Sequence, residues 1–181
     1  TSQEHPFVTN GNCTLGEAIA AANTNLAVDG CASGSATTTD VIDLLTGTYT
    51  LTKSAVGINS DNTGLPFISS PIIINGNNST IQRDTGVYAF RLIQIINTGS
   101  LVLNDLTLVN GLFSTTNRGG GAVQAFGDLT LNNVNVQNNR GASNATAQGG
   151  GISMQDAANL TIHGGTFSNN DFKAEGGRSA I

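Results

Sequence analysis

A short motif recurs at nearly constant intervals along the chain. An aliphatic residue followed by Asn or His returns after 29, 28 and 31 residues, at Ile74-Asn75, Leu103-Asn104, Leu131-Asn132 and Ile162-His163. Around each copy, apolar and polar residues alternate over short stretches, which is typical of a strand with one buried face. A fixed step near 29 residues favours coils stacked on one another over a hairpin meander, because hairpins need tight-turn residues between successive strands.

The repeat therefore predicts an all-β fold, a parallel β-solenoid with three strands in each coil of about 29 residues. In the third coil, for example, the predicted strands cover residues 92–95, 101–103 and 106–108. Stacking at about 4.8 Å places equivalent residues of successive coils in columns. The amides of Asn75, Asn104 and Asn132 should then hydrogen-bond as a ladder, which His163 continues.

The region before the repeats has the features of a short helix and a cap. Thr14 and Glu17 have the spacing of a capping box, and the apolar residues that follow fall on one helical face. We expect one domain in which residues 1–40 are an N-terminal cap, with a helix at about 15–24. Residues 41–181 form the coils, of which the last is incomplete. Residues 53–70 resemble a surface loop.

Glycine clusters occur at equivalent positions of successive coils. Residues 119–121 and 149–151 are Gly triplets, and Gly176-Gly177 occupies the same place one coil later. We expect corners with positive φ at these clusters, since glycine adopts that conformation without a steric penalty.

The chain has two cysteines, Cys13 and Cys31, which flank the predicted helix. A disulfide between them would hold the cap in place and contribute about 3 kcal/mol by constraining the unfolded chain. It would also indicate an oxidising compartment. The alternative is a pair of buried free thiols in a cytoplasmic protein.

The opening motif resembles that of a known family. Cys13-Thr14-Leu15-Gly16-Glu17-Ala18 is similar to the Cys-Ser-Leu-Arg-Glu-Ala motif of bacterial secreted proteins with right-handed parallel β-helix repeats. Gly120-Gly121-Ala122-Val123 and Phe167-Ser168-Asn169-Asn170 resemble repeats of polymorphic outer-membrane and autotransporter passenger proteins. The chain departs from the opening motif at Thr14, in place of Ser, and at Gly16, in place of Arg. The resemblance implies a right-handed, extracellular β-helix and no single activity.

Charge and hydropathy exclude two classes of partner. The chain has seven Lys and Arg residues and twelve Asp and Glu residues, which gives a net charge of -5. Nucleic-acid binding, by contrast, needs clustered basic residues. No apolar run approaches the roughly 20 residues that span a bilayer. The sequence therefore predicts neither nucleic-acid binding nor membrane insertion, and it contains no visible signal peptide.

A search for catalytic groups finds few candidates. Glycoside hydrolysis needs two carboxylates about 5–10 Å apart, but Asp105 and Asp128 align with amide or small residues in neighbouring coils. Arg83, Asp84 and Arg91 are the best polar cluster, and a surface ion pair explains them more simply. We expect no metal or cofactor, and the chain shows no clear enzyme site.

Thr48, Thr50 and Thr52 alternate as in the flat threonine arrays of ice-binding solenoids. The strands expected to match them are residues 91–94 and 122–124, which contain no threonine. The array is therefore not expected to repeat.

The two ends of the predicted solenoid differ, because a helix covers one and an incomplete coil forms the other. An open end leaves unpaired strand edges, so we expect end-to-end contacts through Leu15 and Ile19 at one end and Gly176, Gly177, Ala180 and Ile181 at the other. The predicted function is that of a non-catalytic extracellular or cell-surface module, structural or adhesive, that forms filaments or continues into a longer solenoid. Its partners are further copies or surface polysaccharide. The alternative is a polysaccharide lyase, a glycoside hydrolase or a carbohydrate-binding module.

Overall fold

The computed structural model describes residues 1–3, 9–56, 62–113, 119–141 and 149–172. The predicted contact residues Gly176, Gly177, Ala180 and Ile181 lie outside these ranges. The described residues contain one helix, α1 (Leu15–Thr24). The strands are β1 (Asp40–Asp43), β2 (Thr48–Leu51), β3 (Pro71–Arg83), β4 (Ile93–Ile95), β5 (Ser100–Val109), β6 (Leu112–Phe113), β7 (Val123–Ala125), β8 (Leu129–Gln137), β9 (Arg140–Gly141), β10 (Ile152–Met154), β11 (Leu160–His163), β12 (Phe167–Ser168) and β13 (Asp171–Phe172).

The strands stack in parallel into three sheets, which confirms the predicted β-solenoid. The largest sheet has the order β1-β3-β5-β8-β11, with β2 also on β3 and β12 also on β8. The other two have the orders β4-β7-β10 and β6-β9-β13. Leu103 pairs with Ile74 in the preceding coil and with Leu131 in the following one. Residues about one repeat apart therefore lie side by side.

The division of each coil into strands differs from the prediction. The two alternations at residues 101–103 and 106–108 belong to the single strand β5, which bends at Asp105. Asp105 has a φ of 49° and its counterpart Asn133 a φ of 53°, a left-handed conformation that Asp and Asn tolerate better than most residues. A single residue in this conformation bends the strand without ending its pairing. The third sheet consists instead of the two-residue strands β6, β9 and β13.

The core consists of aliphatic columns that run along the solenoid. Ile74, Leu103 and Leu131 form one of these columns, and each has no exposed surface. Full burial of such a side chain stabilises the fold by about 1.5–3 kcal/mol. Leu15 and Ile19 from α1 join the same cluster.

The cap has the predicted local structure. The Thr14 hydroxyl accepts from the amide of Glu17, and a Glu17 carboxylate oxygen accepts from the amide of Thr14. Cys13 and Cys31 form a disulfide. Asn23 joins the helix to the coils, donating to the carbonyl of Phe67 at 2.7 Å and accepting from the amide of Ser69 at 2.9 Å.

Residues 62–70 are part of the coil stack, so the predicted surface loop at 53–70 is wrong for this stretch. Leu65 and Ile68 have no exposed surface. Their amides donate to the carbonyls of Leu92 and Gln94 at 3.1 and 2.9 Å. The stretch therefore lies against the start of the second sheet.

The glycine corners are confirmed where they are described. Gly120 and Gly149 have φ values of 86° and 66°. A Cβ atom at Gly120 would collide with the carbonyl oxygen of Val123. Both the conformation and the close approach require glycine there.

Candidate functional site

The helix α1 covers the core at the N-terminal end of the solenoid, where β1 and β2 each pair with β3 alone among the described strands. Leu15 and Ile19 are 2% and 0% exposed and belong to the core cluster that contains Ile42 and Leu44. The expectation that Leu15 and Ile19 contact another molecule is therefore wrong, because both side chains are already buried against the chain's own first coil.

The C-terminal end of the described solenoid is open. All four residues of β11 are exposed. Leu160 and Ile162 are 38% and 45% exposed, whereas their register partners Leu129 and Leu131 have no exposed surface. Within the described ranges, β11 pairs with β8 on one edge and with no strand on the other. This end therefore presents core-type side chains and a free strand edge.

A ladder of side-chain amides runs along the bend of the largest sheet, as predicted. Asn104 donates to the Oδ1 of Asn75 at 2.8 Å, and Asn132 donates to the Oδ1 of Asn104 at 2.7 Å. The sequence did not reveal the first rung, Asp43, whose Oδ1 accepts from Asn75 at 2.7 Å. Because a carboxylate can only accept, Asp43 fixes the direction in which every amide donates.

His163 lies at the open end of this ladder. It is the register partner of Asn132 and is exposed. The direction fixed by Asp43 leaves the Oδ1 of Asn132 as the acceptor for the next rung. An imidazole N–H at His163 is a donor of the required type.

The ladder gives a first testable prediction. Replacing Asn104 by alanine removes the middle rung and leaves the amide of Asn132 and the Oδ1 of Asn75 without their ladder partner. We expect the free energy of unfolding to fall by about 1–3 kcal/mol, measured by urea denaturation. Asn97→Ala is the control, because Asn97 is exposed and lies outside the ladder. Equal losses in the two variants would contradict a stabilising ladder.

Arg83 is 6% exposed and so does not lie at the surface, as the ion pair expected within the Arg83, Asp84 and Arg91 cluster would require. Its Nε donates to the carbonyl of Asn110 at 2.9 Å, and its Nη1 donates to the carbonyls of Asp84 and Val87 at 2.9 and 2.8 Å. Burial lowers the pKa of the guanidinium, although the carboxylate of Asp84 acts in the opposite direction. Arg83 therefore holds a corner of the backbone together.

Arg91, the third member of the predicted cluster, is bound elsewhere. It has no exposed surface, and its guanidinium lies 4.3 Å from the centroid of the Phe113 ring. Its Nη1 donates to the Oε1 of Gln124. The pattern of apolar and polar residues around Arg91 in the sequence did not indicate that this charged side chain would be buried. The contacts described for Arg83 and Arg91 are therefore with different partners.

Asp105 and Asp128, the aligned carboxylates considered for catalysis, accept hydrogen bonds from side-chain amides. The Oδ1 of Asp105 accepts from the amide of Asn133 at 3.2 Å. The Oδ1 of Asp128 accepts from the side-chain amide of Asn159 at 3.1 Å. In the part of the chain that the structure describes, no group of three or more His, Cys, Asp or Glu residues could hold a metal ion.

The first threonine of the predicted array recurs in later coils, contrary to the sequence prediction, whereas Thr50 does not, since Gln82, Val109 and Gln137 follow it in its column. The structure pairs Thr48 with Thr80, then Thr80 with Thr107 and Thr107 with Asn135. Thr166 follows, and its hydroxyl donates to the Oδ1 of Asn135 at 2.7 Å. The prediction failed because β2 stacks on the second half of β3 and not on the strand at residues 91–94.

Comparisons with protein-family models, curated proteins and solved structures find no match. No helix among the described residues is long and apolar enough to cross a membrane. Function is therefore inferred from the surfaces of the solenoid itself.

Proposed function

We propose that the chain is a non-catalytic structural module of an extracellular or cell-surface protein, and that its C-terminal end accepts a further coil. The contrast between the two ends supports this proposal. Leu15 and Ile19 are buried at the N-terminal end, while Leu160 and Ile162 are exposed at the open end.

The open end has the chemistry of a surface that pairs with another strand. Leu160 and Ile162 are 38% and 45% exposed, so burying the rest of each side chain would stabilise the assembly by about 1 kcal/mol for each. β11 has the sequence Leu-Thr-Ile-His and so lacks the Lys, Glu or Pro residues that commonly protect free edges from pairing. A further coil would cover both the edge and the side chains.

The further coil comes either from the same polypeptide or from a second copy. The covering of the core by α1 at the N-terminal end argues against a head-to-tail filament, because such a filament needs an exposed core at both ends. A second copy would instead present its own open end. The proposed self-association is therefore a symmetric pair.

The proposed location rests on the disulfide and on the resemblance to bacterial secreted β-helix proteins. Cys13 and Cys31 are bonded, and disulfides persist mainly in oxidising compartments. The adhesive role and the surface polysaccharide partner rest on the resemblance of the repeats to passenger proteins.

Self-association tests the open end. The chain should form dimers in a concentration series followed by sedimentation velocity, and Ile162→Lys should weaken the dimer at least about tenfold. Leu45→Lys is a matched control, since Leu45 is 63% exposed but lies in the first coil. A chain that stays monomeric at every concentration, or an Ile162→Lys variant that dimerises normally, would contradict the symmetric pair.

A further inference from the structure

Ten outward-facing residues form two adjacent columns, which we call the threonine face. The first column contains Thr48, Thr80, Thr107, Asn135 and Thr166, and the second contains Thr50, Gln82, Val109, Gln137 and Ser168. Successive members of a column are separated by about 4.8 Å, and the two columns by about 7 Å, which is the length of two strand residues. The face is thus a regular array in two directions.

The face rests on a tightly packed layer. The inward residues between its columns are Tyr49, Ile81 and Leu108, which are at most 2% exposed, followed by the buried Val136. The irregularity in the pairing of β3 with β5 lies between Asn75 and Ser79, before the face begins. The strands under the face therefore stay in register.

Hydrogen bonds between coils hold several side chains of the face. Gln82 donates to the hydroxyl of Thr50 at 3.1 Å. The hydroxyl of Thr166 donates to the Oδ1 of Asn135 at 2.7 Å. The branched Thr side chains also have few rotamers. An array that is already ordered loses little entropy when it binds.

The composition of the face restricts what can bind it. None of its ten residues is charged or aromatic. It therefore lacks the basic groups that bind phosphates or acidic polymers and the rings that stack on sugars and bases. What remains is a set of hydroxyls, amides and methyl groups on a rigid lattice.

A matching ligand is neutral, rich in hydrogen-bonding groups and periodic at the strand spacing. Oxygen atoms in crystalline water repeat along one axis at a spacing close to that between strands. Hydroxyls of the face can bond to these oxygens, while the Thr methyl groups occupy the spaces between them. We propose that the threonine face binds the surface of ice. This activity does not depend on the C-terminal end or on the proposed structural role.

The test compares two tyrosine substitutions in the same sheet. Thr107→Tyr places a ring at the centre of the face and should reduce inhibition of ice recrystallisation at least about tenfold relative to the unmodified chain. Thr130→Tyr is the control. Thr130 lies in the neighbouring strand β8 and is half-exposed, as Thr107 is, but it does not belong to the threonine face. Circular dichroism and urea denaturation establish that both variants are folded.

A gain-of-activity variant tests the same idea without disturbing the fold. Val109→Thr, a nearly isosteric change at a half-exposed position, extends the threonine pattern into the second column and should strengthen both the inhibition and the shaping of ice crystals. An unmodified, folded chain that neither shapes ice nor partitions into it would overturn the proposal. Equal loss in Thr107→Tyr and Thr130→Tyr would overturn it as well.

Discussion

Replacing Leu103 by alanine is expected to lower the free energy of unfolding by about 2–5 kcal/mol. Leu103 has no exposed surface and lies between Ile74 and Leu131 in the central column of the core. The truncation leaves a cavity that the stacked coils above and below cannot close, because hydrogen bonds hold their backbones at a fixed spacing. Urea denaturation followed by circular dichroism measures the loss.

Val102→Ala is the matched control for this experiment. Val102 is the next residue along β5, but it faces outward and is half-exposed. Its truncation should cost about 1 kcal/mol or less. Similar losses at positions 102 and 103 would mean that the strand does not separate a core face from a solvent face.

Removal of the Cys13–Cys31 disulfide is expected to destabilise the chain by about 3 kcal/mol, because it releases the loop that holds the cap. The two cysteines are 18 residues apart and enclose α1. In the variant with Cys13→Ser and Cys31→Ser, amide hydrogen exchange should accelerate most in residues 15–24. Protection in β5 and β8 should fall less, since local openings differ in free energy across a structure.

The reductant dependence provides the control for the disulfide prediction. Reducing the unmodified chain should reproduce the behaviour of the double serine variant, and the variant itself should not respond to reductant. If reduction left the stability and the exchange of α1 unchanged, the cap would not depend on this bond.

The sequence predicted those features of the fold that depend on the repeat interval. Equivalent residues of successive coils must lie in columns, so Asn75, Asn104 and Asn132 could be assigned to one ladder. The cap was predictable for a different reason, since the Thr14–Glu17 box is encoded within four residues.

The features that the sequence did not predict depend on geometry within a coil. The hydrogen bond between Asp43 and Asn75 joins residues that are 32 positions apart. The next two hydrogen bonds of the ladder join residues that are 29 and 28 positions apart. Asp43 and Thr48 therefore did not align with the repeat, and the threonine face was missed. The buried Arg91 lies over the ring of Phe113, and no local sequence pattern encodes that contact.

The two surfaces proposed here exist only if the coils stack in parallel at the observed register. Nuclear Overhauser contacts in the isotope-labelled chain can measure that register. Backbone contacts are expected from Leu103 to both Ile74 and Leu131, and from Thr107 to both Thr80 and Asn135. Antiparallel contacts between the two halves of β5, or a shift of one residue in these pairs, would contradict this stacking.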